Sequence, residues 1–336
     1  MPTRLPDDVS VERFLSREVL GVVETAAIAA ARFMGMGNGK DVDRAASDTM
    51  REHLGRIPMK GTVVIGEGER DEAPMLYIGE KVGSPDSDDL PEMDIAVDPV
   101  EGTNLVANGL PNAIATLAIS QKGGLFHAPD TYMRKLIVGP SAKGKVDILA
   151  PVRYNLSIIA MSLERDIEDI TVVILDRTRH QELIQEVREC GARIKLVTDG
   201  DVMPAITASL SGSGIHAVMG IGGAPEGVLA AAAVKCLGGE IQAQFKWRSA
   251  EERERAQDMG LDTDEEVVYS TDDLVPGDEI VFAATGITTG DTLTGVRYFG
   301  TGARTHSVVM TYKSGVIRFV DTIHRSSVRR GPVKFH

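Results

Sequence analysis

The stretch Asp94-Ile95-Ala96-Val97-Asp98-Pro99-Val100-Glu101-Gly102-Thr103 decides how the rest of the chain is read. Its apolar run has the texture of a buried strand. Pro99 has no N–H and disfavours helix at Asp98, so the strand is predicted to end at Asp98. Gly102 then lets the backbone fold tightly. Two carboxylates three residues apart, followed by a glycine and a hydroxyl, supply what a hard divalent cation and a water-activating site need in one turn. A helix starting near Asn104 would put Thr103 at its N-terminus, where free N–H groups and the helix dipole hold a phosphate. Asp, Pro, Gly and Thr also make ordinary turns, so the six residues from Asp98 leave both readings open when taken alone.

Upstream, Val63-Val64-Ile65-Gly66-Glu67-Gly68 repeats the design, an apolar run breaking into glycines and an acid. Glycines on both sides of Glu67 free the backbone to aim its carboxylate at an ion bound by Asp98. Glu69, Arg70, Asp71 and Glu72 read as a solvated loop. Earlier still, Gly35-Met36-Gly37-Asn38-Gly39 separates two helical segments, and Asp43 is predicted to open the second. It is then either a helix N-terminal acid or a further metal ligand.

The second half offers basic and acidic groups at predicted strand ends. Arg177-Thr178-Arg179-His180 follows an apolar strand and presents two guanidinium groups able to bind a phosphate bidentately, or forms a basic surface turn. Asp199-Gly200-Asp201 ends the next strand and is alternatively an Asx-type turn. Gly222-Gly223-Ala224-Pro225-Glu226-Gly227 lies between a strand and an alanine-rich helix. Its glycines permit close backbone approach, Pro225 suits a first helical turn, and Glu226 is an acid at a helix start. Tyr132, Arg134 and Lys135 are further candidates to hold a phosphate, though Lys135 equally flanks a strand.

These residues, together with Ala73-Pro74-Met75-Leu76-Tyr77, Ala128-Pro129-Asp130 and Tyr132-Met133, resemble the class II fructose-1,6-bisphosphatases, a branch of the lithium-sensitive sugar and inositol phosphatase superfamily. The resemblance runs from about residue 18 to about residue 324. Glu101 to Ala107 and Gly123-Gly124-Leu125-Phe126 are most similar to photosynthetic, cyanobacterial members, some of which also dephosphorylate sedoheptulose-1,7-bisphosphate.

The resemblance implies an α/β fold in αβαβα layers and a homotetramer or dimer. It implies Mg²⁺ or Mn²⁺ held by Asp43, Glu67, Asp98, Glu101 and Glu226. Catalysis falls to Thr103, orienting the attacking water, with Glu67 and Asp98. Substrate contacts fall to Glu101, Gly102, Thr103, Tyr132, Arg177, Thr178, Arg179, Asp199, Gly200, Asp201 and Gly223. The expected reaction is hydrolysis of the 1-phosphate of fructose 1,6-bisphosphate to fructose 6-phosphate and phosphate, with sedoheptulose bisphosphate as a further substrate. Two alternatives stand beside it: an inositol or nucleotide bisphosphate phosphatase of the same superfamily, and a non-catalytic sugar-phosphate-binding protein.

Two positions depart from the family pattern. Asn38 stands where members carry Asp, with Lys40 one place late, and Thr178 stands where members carry proline, which leaves that loop less rigid.

Composition agrees with an acidic, metal-assisted site. The net charge of −13 over 336 residues disfavours nucleic acid and anionic membranes. It suits an anionic substrate only if bound cations invert the local field. No apolar run approaches a membrane span and no signal peptide pattern is present, so a cytoplasmic protein is expected. Seven histidines show no zinc-ligand spacing. Neither a P-loop nor a Gly-x-Ser-x-Gly elbow occurs. Cys190 and Cys236 are predicted to be unpaired thiols.

Helices are predicted over 18–34 and 42–56, and strands over 61–66, 94–98, 113–120, 135–138 and 145–147. From residue 168 the texture becomes a regular strand and helix alternation, predicting a βαβ sheet whose Gly-rich turns gather at one edge. The division expected is a metal-binding catalytic part, 1–168, and a sugar-phosphate-binding part, 169–336.

Overall fold

The computed structural model describes residues 11–68, 75–84 and 90–325. The motif residues Glu69, Arg70, Asp71, Glu72, Ala73 and Pro74 lie outside them. The chain begins with helices α1 (Val11–Ala31) and α2 (Gly39–Leu54), then strands β1 (Lys60–Ile65), β2 (Lys81–Val82) and β3 (Glu92–Glu101). A short helix α3 (Thr103–Ala107), strands β4 (Ile114–Gln121) and β5 (Tyr132–Val138), and helix α4 (Val152–Ser162) follow. The expected alternation comes next: β6 (Thr171–Leu175), α5 (Gln181–Glu189), β7 (Arg193–Val197), α6 (Val202–Ser209), β8 (Ala217–Gly223) and α7 (Ala224–Cys236). The rest is β9 (Glu240–Lys246), α8 (Ala250–Asp258), α9 (Thr271–Leu274), β10 (Ile280–Gly286), β11 (Arg297–Phe299), β12 (Gly302–Thr311) and β13 (Val316–Arg325).

Two mixed sheets result. The first has the order β11-β12-β10-β4-β3-β1-β2 with β13 on β12, and the second β7-β6-β8-β5-β9. Alternation along the strands sets the layers. Ile95, Val97, Leu117, Ile119 and Val281 pack with Leu15, Val19 and Met50 of α1 and α2. Ala96, Ala118 and Phe282 face the opposite way, into a layer containing α6 and α7, which Met133 and Ile137 of β5 enter from the second sheet. Leu136 and Val138 turn outward onto Leu156, Ile159, Ile184 and Val187 of α4 and α5. The order is therefore αβαβα, as expected. Helix α7 has wholly buried alanines at 230 to 233, because sheets cover it on two sides.

Several expectations need correction. Strand β3 does not stop at Asp98 but runs to Glu101. Its pairing with β4 shifts register there, Asp98 facing Thr116 and Glu101 facing Ile114. A bulge tolerates Pro99, whose missing N–H would break a regular ladder. Helix α2 starts at Gly39 rather than at Asp43, with Asn38 as its N-cap, so Asp43 lies one turn inside. Residues 145–147 form no strand, because the backbone N–H of Asp147 is taken by the Asn155 side chain at 2.9 Å.

β10, buried along its full length, returns to pair with β4. Residue 168 lies between α4 and β6, yet β5 pairs with β8 and β9, and β10 with β4, so both sheets draw strands from each side of it. Cys190 and Cys236 are free thiols. No helix among the described residues is long and apolar enough to cross a membrane.

Candidate active site

The bulge in β3, the turn after β7 and the junction of β8 with α7 meet at one cleft of about 410 Å³ lined by Glu67, Asp98, Glu101, Thr103, Asp199 and Glu226. In a regular strand, residues three apart point to opposite faces. The extra residue in the bulge removes that obstacle, since Thr116 and Ile114, opposite Asp98 and Glu101, are themselves two apart and share a face. One carboxylate oxygen from each of Asp98, Glu101 and Glu226 lies within 4.8 Å of the other two.

Glu101 is 4% exposed and accepts the backbone N–H groups of Asp201 at 2.7 Å and Val202 at 2.9 Å, the start of α6. Glu226 is brought in by the first turn of α7, where Pro225 occupies the opening position. A Cβ at Gly223 would stand 1.8 Å from Glu226 Oε2, so glycine here lets the carboxylate lie against the backbone. Gly102, with φ of 90°, turns the chain from β3 into α3 in a conformation that favours glycine.

Crowded carboxylates resist ionisation together. Burial drives Asp98 well above the usual carboxylate range, with the charges of Glu101, Glu67 and Glu226 adding to it. Burial also raises Glu101, helped by Asp201 and opposed by the two backbone N–H groups. Glu226 is pushed up to about 7 by burial and by Glu101, against the pull of Lys135. Glu67 stands at the lip of the cleft, exposed as a residue while protein surrounds its carboxyl. Burial and then Asp43 push it up to about 7.

The donor set fits a hard divalent cation. All the converging atoms are carboxylate oxygens, and Glu226 Oε2 and Asp201 Oδ1 are buried without a hydrogen-bond partner. Groups that must shed charge when alone are those a cation stabilises. Asp98, Glu101 and Glu226 form this group. Glu67 acts on it electrostatically, and Asp43 acts on Glu67 in turn while accepting the Thr103 hydroxyl.

Asp43 accepts the Thr103 hydroxyl at 2.5 Å. Burial raises Asp43, and that hydrogen bond pulls it back.

Of the expected substrate residues, Glu101, Gly102, Thr103 and Asp199 line this cleft, and Arg179 lines another. Asp199 accepts Arg177 at 3.4 Å and Asn104 at 3.3 Å. Arg177 also bonds the carbonyl of Thr198, and Gly200 packs beside Glu101. Thr178 opens a single 3₁₀ turn, Thr178–His180. His180, 1% exposed, locks that turn. Its Nδ1 meets the Leu175 carbonyl at 2.7 Å and its Nε2 accepts the Ile221 N–H at 2.7 Å. That pairing assigns the proton to Nδ1, and burial lowers the ring's pKa. Thr178, in the place of a rigid proline, is thus backed by a buried histidine.

Asp201 is not free to meet a sugar hydroxyl through both oxygens. Its Oδ2 is 2.5 Å from Lys135 Nζ, which also donates to the Gly223 carbonyl at 2.9 Å. Lys135, with its side chain 2% exposed, is the site residue that the sequence left beside a strand. The signal was present: Met133, Lys135 and Ile137 share one face of β5, which puts a cation in an apolar layer. Asn38 is exposed and its amide bonds Asp41 at 2.6 Å, clear of the cluster.

A layered αβαβα sandwich with a carboxylate cluster at its strand ends defines an α/β protein with a candidate metal centre. The chain belongs to the family of bacterial fructose-1,6-bisphosphatases, glpX-encoded, whose profile matches residues 13–324. A protein of Synechococcus sp. (strain JA-2-3B'a(2-13)), named D-fructose 1,6-bisphosphatase class 2/sedoheptulose 1,7-bisphosphatase, is 53% identical over 331 residues, covering 92% of this chain and 95% of the relative. A protein of the same name from Crocosphaera subtropica is 51% identical over 335 residues, 94% of this chain and 97% of the relative. One from Acaryochloris marina is 49% identical over 343 residues, 96% of this chain and 98% of the relative.

Proposed function

We propose that this protein hydrolyses the 1-phosphate of fructose 1,6-bisphosphate, with sedoheptulose 1,7-bisphosphate as a second substrate, and that Mg²⁺ or Mn²⁺ is its cofactor. The observation that carries the reading is the convergence of Asp98, Glu101 and Glu226 on a cleft lined also by Thr103, whose hydroxyl donates to Asp43. Names shared with relatives near 50% identity support the substrate.

Asp98, Glu101 and Glu226, with Glu67 and Asp43 beside them, would hold the cation, which supplies charge neutralisation for the phosphoryl oxygens and an acidified water when bound. The chain's own groups do the positioning. Asp43 accepts the hydrogen bond donated by the Thr103 hydroxyl, which leaves the threonine oxygen's lone pairs to accept a hydrogen bond from a water. A water held in that way is aimed at phosphorus by direct attack, with no enzyme nucleophile needed. Glu101 is fixed by the two N–H groups at the start of α6 and Glu226 by the first turn of α7, so the acids keep their places through turnover. Arg177 and Arg179, after β6, supply positive charge for the substrate's phosphates.

On the same reading the enzyme works in the cytoplasm as a homotetramer or dimer. The edge strand β13, with exposed Ile317, Phe319 and Ile323, supports association of copies.

The test is a panel of phosphate esters assayed for free phosphate, with metal and after chelation. Release from fructose 1,6-bisphosphate only with metal bears the reading out. Preference for an inositol or nucleotide phosphate, or no release from any ester, rejects it.

A further inference from the structure

A left-handed backbone is uncommon for any residue with a Cβ, and for a bulky side chain it is an outlier. Leu76 has it, with φ of 55°, and its side chain is wholly buried in the layer between the first sheet and helices α1 and α2. Strain of this kind persists only where the surroundings enforce it, and it gathers beside functional sites.

What Leu76 holds is Glu67. Its carbonyl accepts the Glu67 backbone N–H at 3.0 Å, and a Cβ at residue 66 would stand 1.9 Å from that oxygen. Glycine at 66 therefore lets the Leu76 peptide lie against the turn that carries the acid. Two residues on, the Ile78 N–H donates to the Gly68 carbonyl at 3.0 Å. Gly66, Glu67, Gly68 and Ile78 together form one wall of the cleft that contains the carboxylate cluster.

What holds Leu76 is Glu80. One oxygen of its carboxylate, which is 8% exposed, accepts the Leu76 backbone N–H, and the other accepts Arg51 Nε at 3.0 Å. The Glu80 carbonyl accepts the Val63 N–H at 2.9 Å, which ties the residue to β1. Arg51 comes from α2, where Asp43, Ser47 and Arg51 recur every four residues and so lie along one side of the helix. That side meets Thr103 through Asp43 and Glu80 through Arg51, and the Asp43 charge reaches Glu67. A continuous set of contacts therefore runs from α2 through Glu80 and the strained turn to Glu67.

We propose that Glu80, braced by Arg51, is a positioning residue that keeps Leu76 left-handed and thereby fixes Glu67 beside the carboxylate cluster, ready for a cation. This rests on the reading above that the cleft takes Mg²⁺ or Mn²⁺. It adds the residues that set the geometry of one wall before the ion arrives.

The test uses the metal-free, full-length protein, with Mn²⁺ binding followed by calorimetry so that the site is read without turnover. Glu80→Gln should weaken Mn²⁺ binding by about tenfold, the scale seen when a ligand loses its outer support. Arg51→Met should weaken it by less, and Arg51→Lys, which restores a cation beside Glu80, should bind nearly as the wild type does. The Arg51 side chain is 47% exposed, so its variants leave the core in place and decide the question if Glu80→Gln does not fold. At saturating metal, KM for fructose 1,6-bisphosphate should change little in any of them. In a Glu67→Gln background, adding Glu80→Gln should cost little further Mn²⁺ affinity, because the residue through which it acts is already altered. An equal loss in both backgrounds would show general destabilisation and would overturn the proposal. So would unaltered Mn²⁺ binding in Glu80→Gln or, where that variant does not fold, in Arg51→Met, or no Mn²⁺ binding by the wild type. A wild type whose Mn²⁺ binding depends on Glu80, yet which releases no phosphate from the bisphosphate, would reject the proposed activity and leave this positioning role standing.

Discussion

The hydroxyl of Thr103 lies 2.5 Å from the carboxylate of Asp43, joining residues sixty apart in the chain. α2 carries the acid, and the first position of α3, placed by the bulge and by Gly102, carries the hydroxyl. The contact predicts kinetics that simple metal ligation by Asp43 would not. Thr103→Ala should lower kcat by about 10²- to 10⁴-fold with little change in KM, and Thr103→Ser should keep most of the activity. If the pair acts as one unit, adding Asp43→Asn to Thr103→Ala should cost much less than Asp43→Asn does in the wild type. Fully additive losses would separate the two roles.

The raised carboxylates make metal binding a proton-releasing event. Glu67 and Glu226 stand near 7 in the folded protein against an ordinary 4.5, so the native state holds protons that the unfolded chain has lost. The contribution of such groups to stability is complete below about pH 4.5 and is lost as pH rises through about 7. Metal-free protein should therefore gain thermal stability from Glu226→Gln at pH 8 and none at pH 5. Mn²⁺ addition should release more protons at pH 6.5 than at pH 8.5, measured by calorimetry in buffers of different ionisation enthalpy. Equal release at both values would show that these carboxyls are already ionised.

Lys135 and Asp201 are both buried and lie 2.5 Å apart, so neither can lose its partner cheaply. Lys135→Met should destabilise the protein by about 3–5 kcal/mol in urea unfolding, because it strands a buried carboxylate. Adding Asp201→Asn should recover much of that loss. A Lys135→Met protein as stable as wild type would mean that Asp201 finds water or another donor.

Much of this site was readable from local sequence, and what was not depended on distant pairing. Asp98, Glu101, Thr103 and Glu226 stand next to Gly and Pro, whose backbone constraints act over a few residues. The strand and helix alternation over 171–236 was legible because short connections keep those elements adjacent. The bulge was not, since Pro99 looks like a strand end until β4 supplies Thr116 and Ile114 as partners. β10 was likewise hidden, because nothing local records that it pairs with β4, more than a hundred residues earlier. Lys135 was visible as a charge in an apolar alternation, but its partners Asp201 and Gly223 come from the turn after β7 and from β8 respectively.

The closest packing in the site yields the last prediction. A Cβ at Gly223 would lie 1.8 Å from Glu226 Oε2 and 2.6 Å from its Cδ, so Gly223→Ala must move the Glu226 carboxylate. The φ of Gly223 is −61°, which alanine adopts without strain, so the backbone gives no reason for the fold to fail. The variant should therefore stay folded while the cluster of Asp98, Glu101 and Glu226 opens. The metal concentration for half activity should rise by about tenfold or more, the range seen when a ligand loses its support. Circular dichroism and thermal unfolding without metal should match the wild type within a few degrees. An unchanged metal titration would show that Glu226 has room to rotate away from Gly223 and still reach the ion, while loss of fold would show that the displaced acid disrupts α7 itself.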